Sequence, residues 1–239
     1  MTDNKMLMYS GQMLDFDEFP YGPPLNIKDL ARSLAYEFRY RAQTPVLLNV
    51  ARHSILVCEL VGAMTKAPAV LLAALLHDIE EAFTGDIVTP VKALLDKNTS
   101  FTDIGVPPQL KDELASIREA VIDRLVPEGF FLPDCQTNWQ LIDDMDKIAL
   151  FVEAEFLEQI DEEYKLFTHL RSTPGYQTYL TYMEYDTVDD IRKHFISCMK
   201  NQFYLCKGLH HRCSCDEQAF LQLFTRLKDD FDEQWMRGN

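Results

Sequence analysis

The segment at residues 68–78 reads PAVLLAALLHD. It opens on Pro68, and proline is favoured at a first helical position, where its missing N–H would be unbonded in any case. Every residue from 69 to 76 is apolar, which predicts a helix buried on all sides. The run ends on His77 and Asp78, and such polar side chains are costly in an apolar setting unless they are satisfied.

Apolar residues keep a helical spacing on both sides of this run, and two-residue alternation is almost absent. Further helices are predicted at residues 27–38, 49–64, 90–95, 107–126, 138–158, 188–209 and 216–235. Residues 172–185 are richer in Thr, Tyr and Gly and predict a looser connection. The pattern as a whole predicts an all-α fold, a helical bundle with extra C-terminal helices.

The length, composition and charge of the chain restrict the kind of protein it can be. A chain of 239 residues, 47% of them hydrophobic, fits one sizeable domain or a domain with an appendage. Its net charge of −15 argues against broad binding to nucleic acid. A metal ion and a few arginines can still make the electrostatic potential positive around a small phosphorylated ligand. No secretory signal and no apolar run approaching about 20 residues is found, so we expect a cytoplasmic protein without a membrane segment and with six reduced cysteines.

His77 and Asp78 are the most informative polar residues. A divalent cation would satisfy both, because imidazole nitrogen and carboxylate oxygen are good ligands for first-row metals. Adjacent helical residues point about 100° apart, so both reach one ion only near a helix end or a bend, and Gly85 is expected to supply that break. For an isolated pair, a hydrogen-bonded core histidine beside a capping Asp is the stronger interpretation.

Two further residues favour a metal site. His53 lies inside the apolar second helix, and Asp146 lies in an apolar-spaced segment of the helix predicted at residues 138–158. Three bundled helices can bring His53, His77, Asp78 and Asp146 to one point, and this set leaves coordination positions open for water and substrate.

The order of these residues resembles that of a known family. Residues 50–54 read VARHS, residues 77–92 read HDIEEAFTGDIVTPVK, and residues 146–147 read DK. These strings, with Tyr9-Ser10-Gly11 and Leu14-Asp15 near the start, resemble the HD-domain phosphohydrolases, most of all the branch of the bacterial 5′-deoxynucleotidases. The resemblance covers about residues 7–160. It implies an HD domain at residues 1–172, with residues 173–239 as a helical extension packed on it.

The resemblance also implies a ligand set. The family pattern of one histidine, a His-Asp pair and a later aspartate assigns His53, His77, Asp78 and Asp146 to a divalent metal ion, which can be Mn, Co, Mg or Zn. Asp143 and Asp144 compete for the last place. Asp146 is preferred because the family's aspartate directly precedes a helical run like residues 147–150.

Glu81 corresponds to the family's acid/base glutamate. In a continuous helix it falls one turn from both His77 and Asp78, so it can position or deprotonate a water molecule there. The alternative is a solvated helix carboxylate. Glu80 is expected to point elsewhere, towards the surface.

Four residues are assigned to the substrate by the same resemblance. Arg39 and Tyr40 match an arginine followed by an aromatic residue, suited to phosphate binding and base stacking. Their spacing to the first histidine differs from the family's, and Arg41 is a rival to Arg39. Asp86 is expected near the sugar, with a turn or cap carboxylate as the alternative. Lys92 either neutralises phosphate or faces solvent.

The function implied is a metal-dependent phosphohydrolase acting on a small nucleotide, above all a (deoxy)nucleoside 5′-monophosphate. One alternative is a (deoxy)nucleoside triphosphate hydrolase with the same metal site. Another is a catalytically silent protein that binds a nucleotide or a partner. The C-terminal helices leave room for a homo-oligomer interface or a partner, and the Cys and His residues near the C-terminus lack the C-x₂-C spacing of a zinc knuckle.

Overall fold

The computed structural model describes residues 4–18, 22–88, 91, 110–126, 135–205 and 209–238. The prediction of an all-α fold is confirmed, with ten α-helices in the described residues. They are α1 (Ile27–Tyr36), α2 (Val50–Met64), α3 (Pro68–Leu75), α4 (Glu81–Thr84), α5 (Leu110–Leu125), α6 (Cys135–Ile160), α7 (Leu166–Leu170), α8 (Gly175–Met183), α9 (Asp186–Leu205) and α10 (Leu209–Gly238).

Local sequence signals explain several helix starts. Asn26 and Asn49 cap α1 and α2, and their side-chain oxygens accept hydrogen bonds from Lys28 N and Arg52 N. Pro68 occupies the first turn of α3, as its position in the sequence predicts. Each of these starts is therefore encoded within a few residues.

Three short features outside the α-helices were not predicted. An antiparallel hairpin pairs β1 (Lys5–Leu7) with β2 (Met13–Asp15), and three-residue strands are too short to show alternation. A single turn of 3₁₀-helix covers Phe16–Glu18, and a left-handed turn covers Arg39–Ala42. The prediction of a loose connection at residues 172–185 is wrong, because α8 lies there and buries Tyr179 against Phe151, with ring centroids 5.0 Å apart.

The core forms where the central helices meet. Helix α2 packs on α3 and α6, while α10 packs on α1, α2 and α3. Leu60 of α2, Leu72 of α3, Phe156 of α6 and Phe220 of α10 are fully buried in one continuous core. The C-terminal helices therefore share the core of the helices that carry the site, and the domain boundary at residue 172 stays a prediction.

The described part of the chain contains no helix long and apolar enough to cross a membrane. Its cysteines, at positions 58, 135, 198, 213 and 215, are free thiols. Cys206 and the predicted helix at residues 90–95, apart from Val91, lie outside the described residues.

Candidate metal centre

Three elements bring the predicted ligands together. His53 projects from α2, His77 and Asp78 lie in the turn after α3, and Asp146 projects from α6. His53 Nε2 lies 2.9 Å from Asp146 Oδ1, and His77 Nε2 lies 3.9 Å from the same oxygen. The ligand atoms of His53, His77 and Asp146 all lie within 4.8 Å of one another, so this cluster can hold a metal ion.

Asp78 adds a second carboxylate to the cluster. Its Oδ2 lies 3.1 Å from His77 Nε2 and 3.7 Å from His53 Nε2. Both imidazoles are buried, whereas the Asp146 side chain is 44% exposed. The four side chains thus form a cluster that is closed by histidines on the inside and open at Asp146.

A bend allows neighbouring residues to face the same point. Helix α3 ends at Leu75, residues 76–80 form a turn, and α4 begins only at Glu81. The expectation that Gly85 supplies the break is wrong in position, because α3 ends ten residues earlier, at Leu75. Gly85 instead caps α4, with φ +70°. It is the turn that points His77 and Asp78 to one side.

The histidine hydrogen bonds leave nitrogen atoms suited to a metal. His77 Nδ1 lies 2.9 Å from the carbonyl oxygen of Ala74, which can only accept, so Nδ1 carries the proton. His77 Nε2 is buried and has no partner of hydrogen-bond geometry in the described residues. It faces Asp78 Oδ2 at 3.1 Å, and a cation bound between this nitrogen and the carboxylates would satisfy both. The residues present therefore fit a divalent metal ion.

The charges of the cluster also favour a bound cation. Burial opposes protonation of His77, but the carboxylates of Asp78 and Asp146 outweigh it and raise the pKa of His77 to about 9. Burial would raise the pKa of Asp78, but the neighbouring His77, His53 and Arg39 hold it well below its usual range. The pocket therefore favours positive charge at its centre.

The rival carboxylates of α6 lie elsewhere. Asp143 is exposed. Asp144 accepts hydrogen bonds from Gln140 Nε2 at 3.0 Å and from Lys147 Nζ at 3.3 Å. Of the three, only Asp146 lies against the histidines.

Glu81 stands at the start of α4, next to the turn. It is only 6% exposed, which excludes the alternative of a solvated carboxylate, and its backbone N–H donates to Asp78 O at 3.1 Å. The expectation that Glu80 faces the surface is wrong, because Glu80 is also 6% exposed. Burial, and then the nearby Asp78, raise the pKa of Glu80 to about 7.

Arg39 borders the cluster and Arg41 does not. Arg39 Nη1 lies 3.9 Å from Asp78 Oδ2, whereas the Arg41 side chain is 66% exposed beside Glu37. The Tyr40 hydroxyl donates to the buried carboxylate of Glu153 at 2.7 Å, so its ring is held at the cluster.

The backbone around Arg39 is strained. Tyr40, Arg41 and Ala42 all have positive φ, between 52° and 58°, and a left-handed conformation costs about 1–2 kcal/mol for each non-glycine residue. Tyr40 N donates to Asp86 Oδ2 at 3.1 Å and Arg39 N donates to Leu48 O at 2.9 Å. These bonds hold a conformation that presents Arg39 to the cluster, and strain of this kind concentrates at functional sites.

Asp86 is hydrogen-bonded within the protein, and Lys92 lies outside the described residues. The bond from Tyr40 N to Asp86 supports the alternative of a carboxylate that fixes a turn, and Asp86 N in turn donates to Glu37 Oε1 at 3.1 Å. Asp86 is 9% exposed. The predicted phosphate contact of Lys92 lies outside the described residues.

Glu153 belongs to the site and was missed in the sequence. It lies on α6 two helical turns after Asp146 and is 1% exposed. Its Oε1 lies 3.0 Å from His53 Nδ1, and its Oε2 accepts from Arg39 Nε at 3.2 Å. The signal was available, since Glu153 interrupts an apolar run as His53 does.

Two further histidines whose side chains the structure describes lie apart from the cluster. His169 and His194 are exposed, as predicted. In the described residues, His53, His77 and Asp146 form the one group of three or more possible ligands close enough to hold an ion.

Comparison with known proteins identifies no family. No family model matches the chain. An uncharacterized protein of Rhodobacter capsulatus is 41% identical over 96 residues, a match that covers 38% of this chain and 47% of the relative. The chain thus matches about half of the length of that relative, whose description names no activity.

Proposed function

We propose that the protein is a metal-dependent phosphohydrolase of the HD superfamily that removes phosphate from a small nucleotide, with a (deoxy)nucleoside 5′-monophosphate as its substrate. The observation that carries the proposal is the convergence of His53, His77, Asp78 and Asp146, with Arg39 at its edge. The class of substrate rests on the resemblance of residues 77–92 to the nucleotidase branch.

The four residues would hold one divalent cation. The Nε2 atoms of His53 and His77 and the two carboxylates match the nitrogen and oxygen ligands that Mn, Co and Zn accept, and the carboxylates also suit Mg. A cation bound there supplies Lewis acidity, which activates water and polarises a phosphoryl oxygen. Four protein ligands leave room for substrate in an octahedral arrangement.

The chain supplies the remaining groups. Arg39 binds the phosphate, because a guanidinium offers paired donors to phosphate oxygens. Glu81, buried beside Asp78, accepts the proton of the attacking water. Water oxygen bonds to phosphorus, the bond to the 5′ oxygen breaks, and that oxygen takes up a proton, which gives a nucleoside and inorganic phosphate.

The test is a substrate and metal screen on chelator-treated protein. Mn²⁺, Co²⁺, Mg²⁺ and Zn²⁺ are added separately, and nucleoside mono-, di- and triphosphates are offered with ribose or deoxyribose. We expect inorganic phosphate and nucleoside from monophosphates with at least one metal, and none from the variant Asp78→Ala.

Two other outcomes of the screen would indicate a different function. Triphosphate or pyrophosphate released from nucleoside triphosphates would identify the alternative hydrolase. Nucleotide binding by calorimetry without turnover with any metal would identify a silent nucleotide-binding protein and would overturn the enzymatic proposal.

A further inference from the structure

A buried carboxylate connects the candidate metal centre with the candidate phosphate-binding residue. Glu153 is surrounded in sequence by Val152 and Ala154, both fully buried, and is itself 1% exposed. A carboxylate in such a place costs several kcal/mol unless nearby groups stabilise it. The groups that stabilise the Glu153 carboxylate indicate its role.

Every group facing Glu153 is a hydrogen-bond donor or can be one. Oε1 lies 3.0 Å from His53 Nδ1. Oε2 accepts from the Tyr40 hydroxyl at 2.7 Å and from Arg39 Nε at 3.2 Å. One side chain therefore contacts a predicted metal ligand with one oxygen and, with the other, two of the four predicted substrate residues.

Both ring nitrogens of His53 face carboxylates, which can only accept. A cation bound at Nε2 would take the place of the proton there, so the remaining proton would lie on Nδ1 and be donated to Glu153. That Nε2 faces Asp146 Oδ1 at 2.9 Å and Asp78 Oδ2 at 3.7 Å. Metal-binding histidines commonly donate their other nitrogen to a carboxylate in this way.

We propose that Glu153 is a positioning residue that holds His53 ready to bind a metal and, through its other oxygen, fixes Arg39 for phosphate. The inference rests on the proposed function and extends it, because it couples metal affinity to substrate affinity through one side chain. A residue with a purely structural role would stabilise the fold without affecting either.

The substitution Glu153→Gln separates these roles. An amide has one acceptor and one donor end, so it cannot serve His53 and Arg39 together. With its oxygen towards His53, the NH₂ group opposes Arg39 Nε. With its NH₂ group towards His53, it demands an acceptor at Nδ1, which places the proton on Nε2 and blocks metal binding.

Glu155 provides a matched control on the same helix. It lies two residues further along α6, accepts from Arg192 Nη1 at 2.7 Å and from Tyr179 OH at 3.2 Å, and contacts neither histidine. Glu155→Gln removes the same charge from the same helix away from the cluster. Glu153→Asp keeps the charge and both acceptors but shortens the side chain.

The main readout is the Mn²⁺ dissociation constant of the full chain, measured by titration calorimetry, with thermal unfolding measured on the same samples. We expect Glu153→Gln to weaken Mn²⁺ binding about 10–100-fold and to raise the KM for nucleotide. Glu155→Gln should leave the Mn²⁺ constant unchanged. Glu153→Asp should bind Mn²⁺ more tightly than Glu153→Gln, although glutamine matches the volume of glutamate better.

The outcomes separate this inference from the proposed function. Equal Mn²⁺ affinity in wild type and Glu153→Gln, or tighter binding in Glu153→Gln than in Glu153→Asp, would overturn the positioning role and leave the function standing. A wild type that binds Mn²⁺ but hydrolyses no nucleotide would overturn the proposed function. The Mn²⁺ affinity of Glu153→Gln relative to wild type would then still decide the positioning role of Glu153. A wild type that binds no metal would overturn both.

Discussion

Helix α2 carries two buried polar clusters, and they differ in one respect. On one side of the helix, His53 meets His77, Asp78 and Asp146. At the start of the helix, the capping residue Asn49 and Arg52 meet Asp216 of α10, which is 4% exposed.

The Asp216 cluster is satisfied within the chain. Asp216 Oδ2 accepts from Asn49 Nδ2 at 2.8 Å, and Oδ1 accepts from Arg52 Nε at 2.9 Å and from Arg52 Nη2. In the histidine cluster, His77 Nε2 is buried and lies 3.1 Å from Asp78 Oδ2, but it makes no hydrogen bond in the described residues. Burial of polar groups therefore does not by itself mark a site, whereas hydrogen bonding that is incomplete within the described residues favours a bound cation.

The largest effect should follow from removal of a ligand in the incomplete cluster. Asp78→Ala is expected to lose metal and turnover, because one carboxylate that contacts both Nε2 atoms disappears. Metal per chain after dialysis is measured by mass spectrometry. Added Mn²⁺ should raise the melting temperature of the wild type but not that of the variant.

The exposed Asp143 of α6 supplies the control. Asp143→Ala should keep the metal, the turnover and the Mn²⁺-dependent stabilisation of the wild type. Metal content equal to wild type in Asp78→Ala would contradict the assignment of Asp78 as a ligand.

Glu81 lies beside the histidine cluster but is not one of the proposed metal ligands. Glu81→Ala is expected to reduce kcat about 10²–10⁴-fold, the usual cost of a lost general acid/base, while metal and substrate still bind. Turnover and metal content are measured on the same preparation. Near-wild-type turnover would make Asp86 the better candidate, and loss of the metal would make Glu81 a ligand.

The sequence predicted the long helices and most of the cluster, but it did not predict α7 or α8. His53, His77 and Asp146 were recognisable as polar residues at helical spacing among apolar ones. The same signal marks Glu153, but it marks Glu155 equally, and only the structure separates the carboxylate that contacts His53 from the one that binds Arg192.

Two backbone features were beyond the sequence. The turn after Leu75 contains no glycine or proline, and tertiary contacts support it, because Arg118 Nη1 donates to His77 O at 3.2 Å while its guanidinium lies over Trp139. The left-handed turn at residues 39–42 also lacks glycine and depends on Asp86, which is distant in sequence. Local propensity does not report bonds of this kind.

The satisfied cluster should affect stability and leave the metal in place. Asp216→Ala leaves Arg52 and Asn49 without their acceptor, which costs about 3 kcal/mol for a buried pair, at the low end of the range because Arg52 is partly exposed. Urea unfolding measures the loss, and metal per folded chain should equal that of wild type. If the folded variant lost its metal, the two clusters would be coupled and the comparison between them would fail.

The smallest effect concerns a third buried polar group of α2. Cys58 Sγ donates to Leu71 O of α3 at 3.4 Å, and burial raises the pKa of the thiol to about 12. A thiol of this kind is inert, because the thiolate is the reactive form. At pH 8, iodoacetamide should therefore label the exposed Cys135 in native protein and Cys58 only after unfolding in urea, as read by peptide mass spectrometry. Because Cys58 spans the contact between α2 and α3, its protection also reports whether the two helices that position His53 and His77 stay packed. Rapid labelling of Cys58 in native protein would mean that this contact opens, and the distances between the two histidines would then not describe a fixed site.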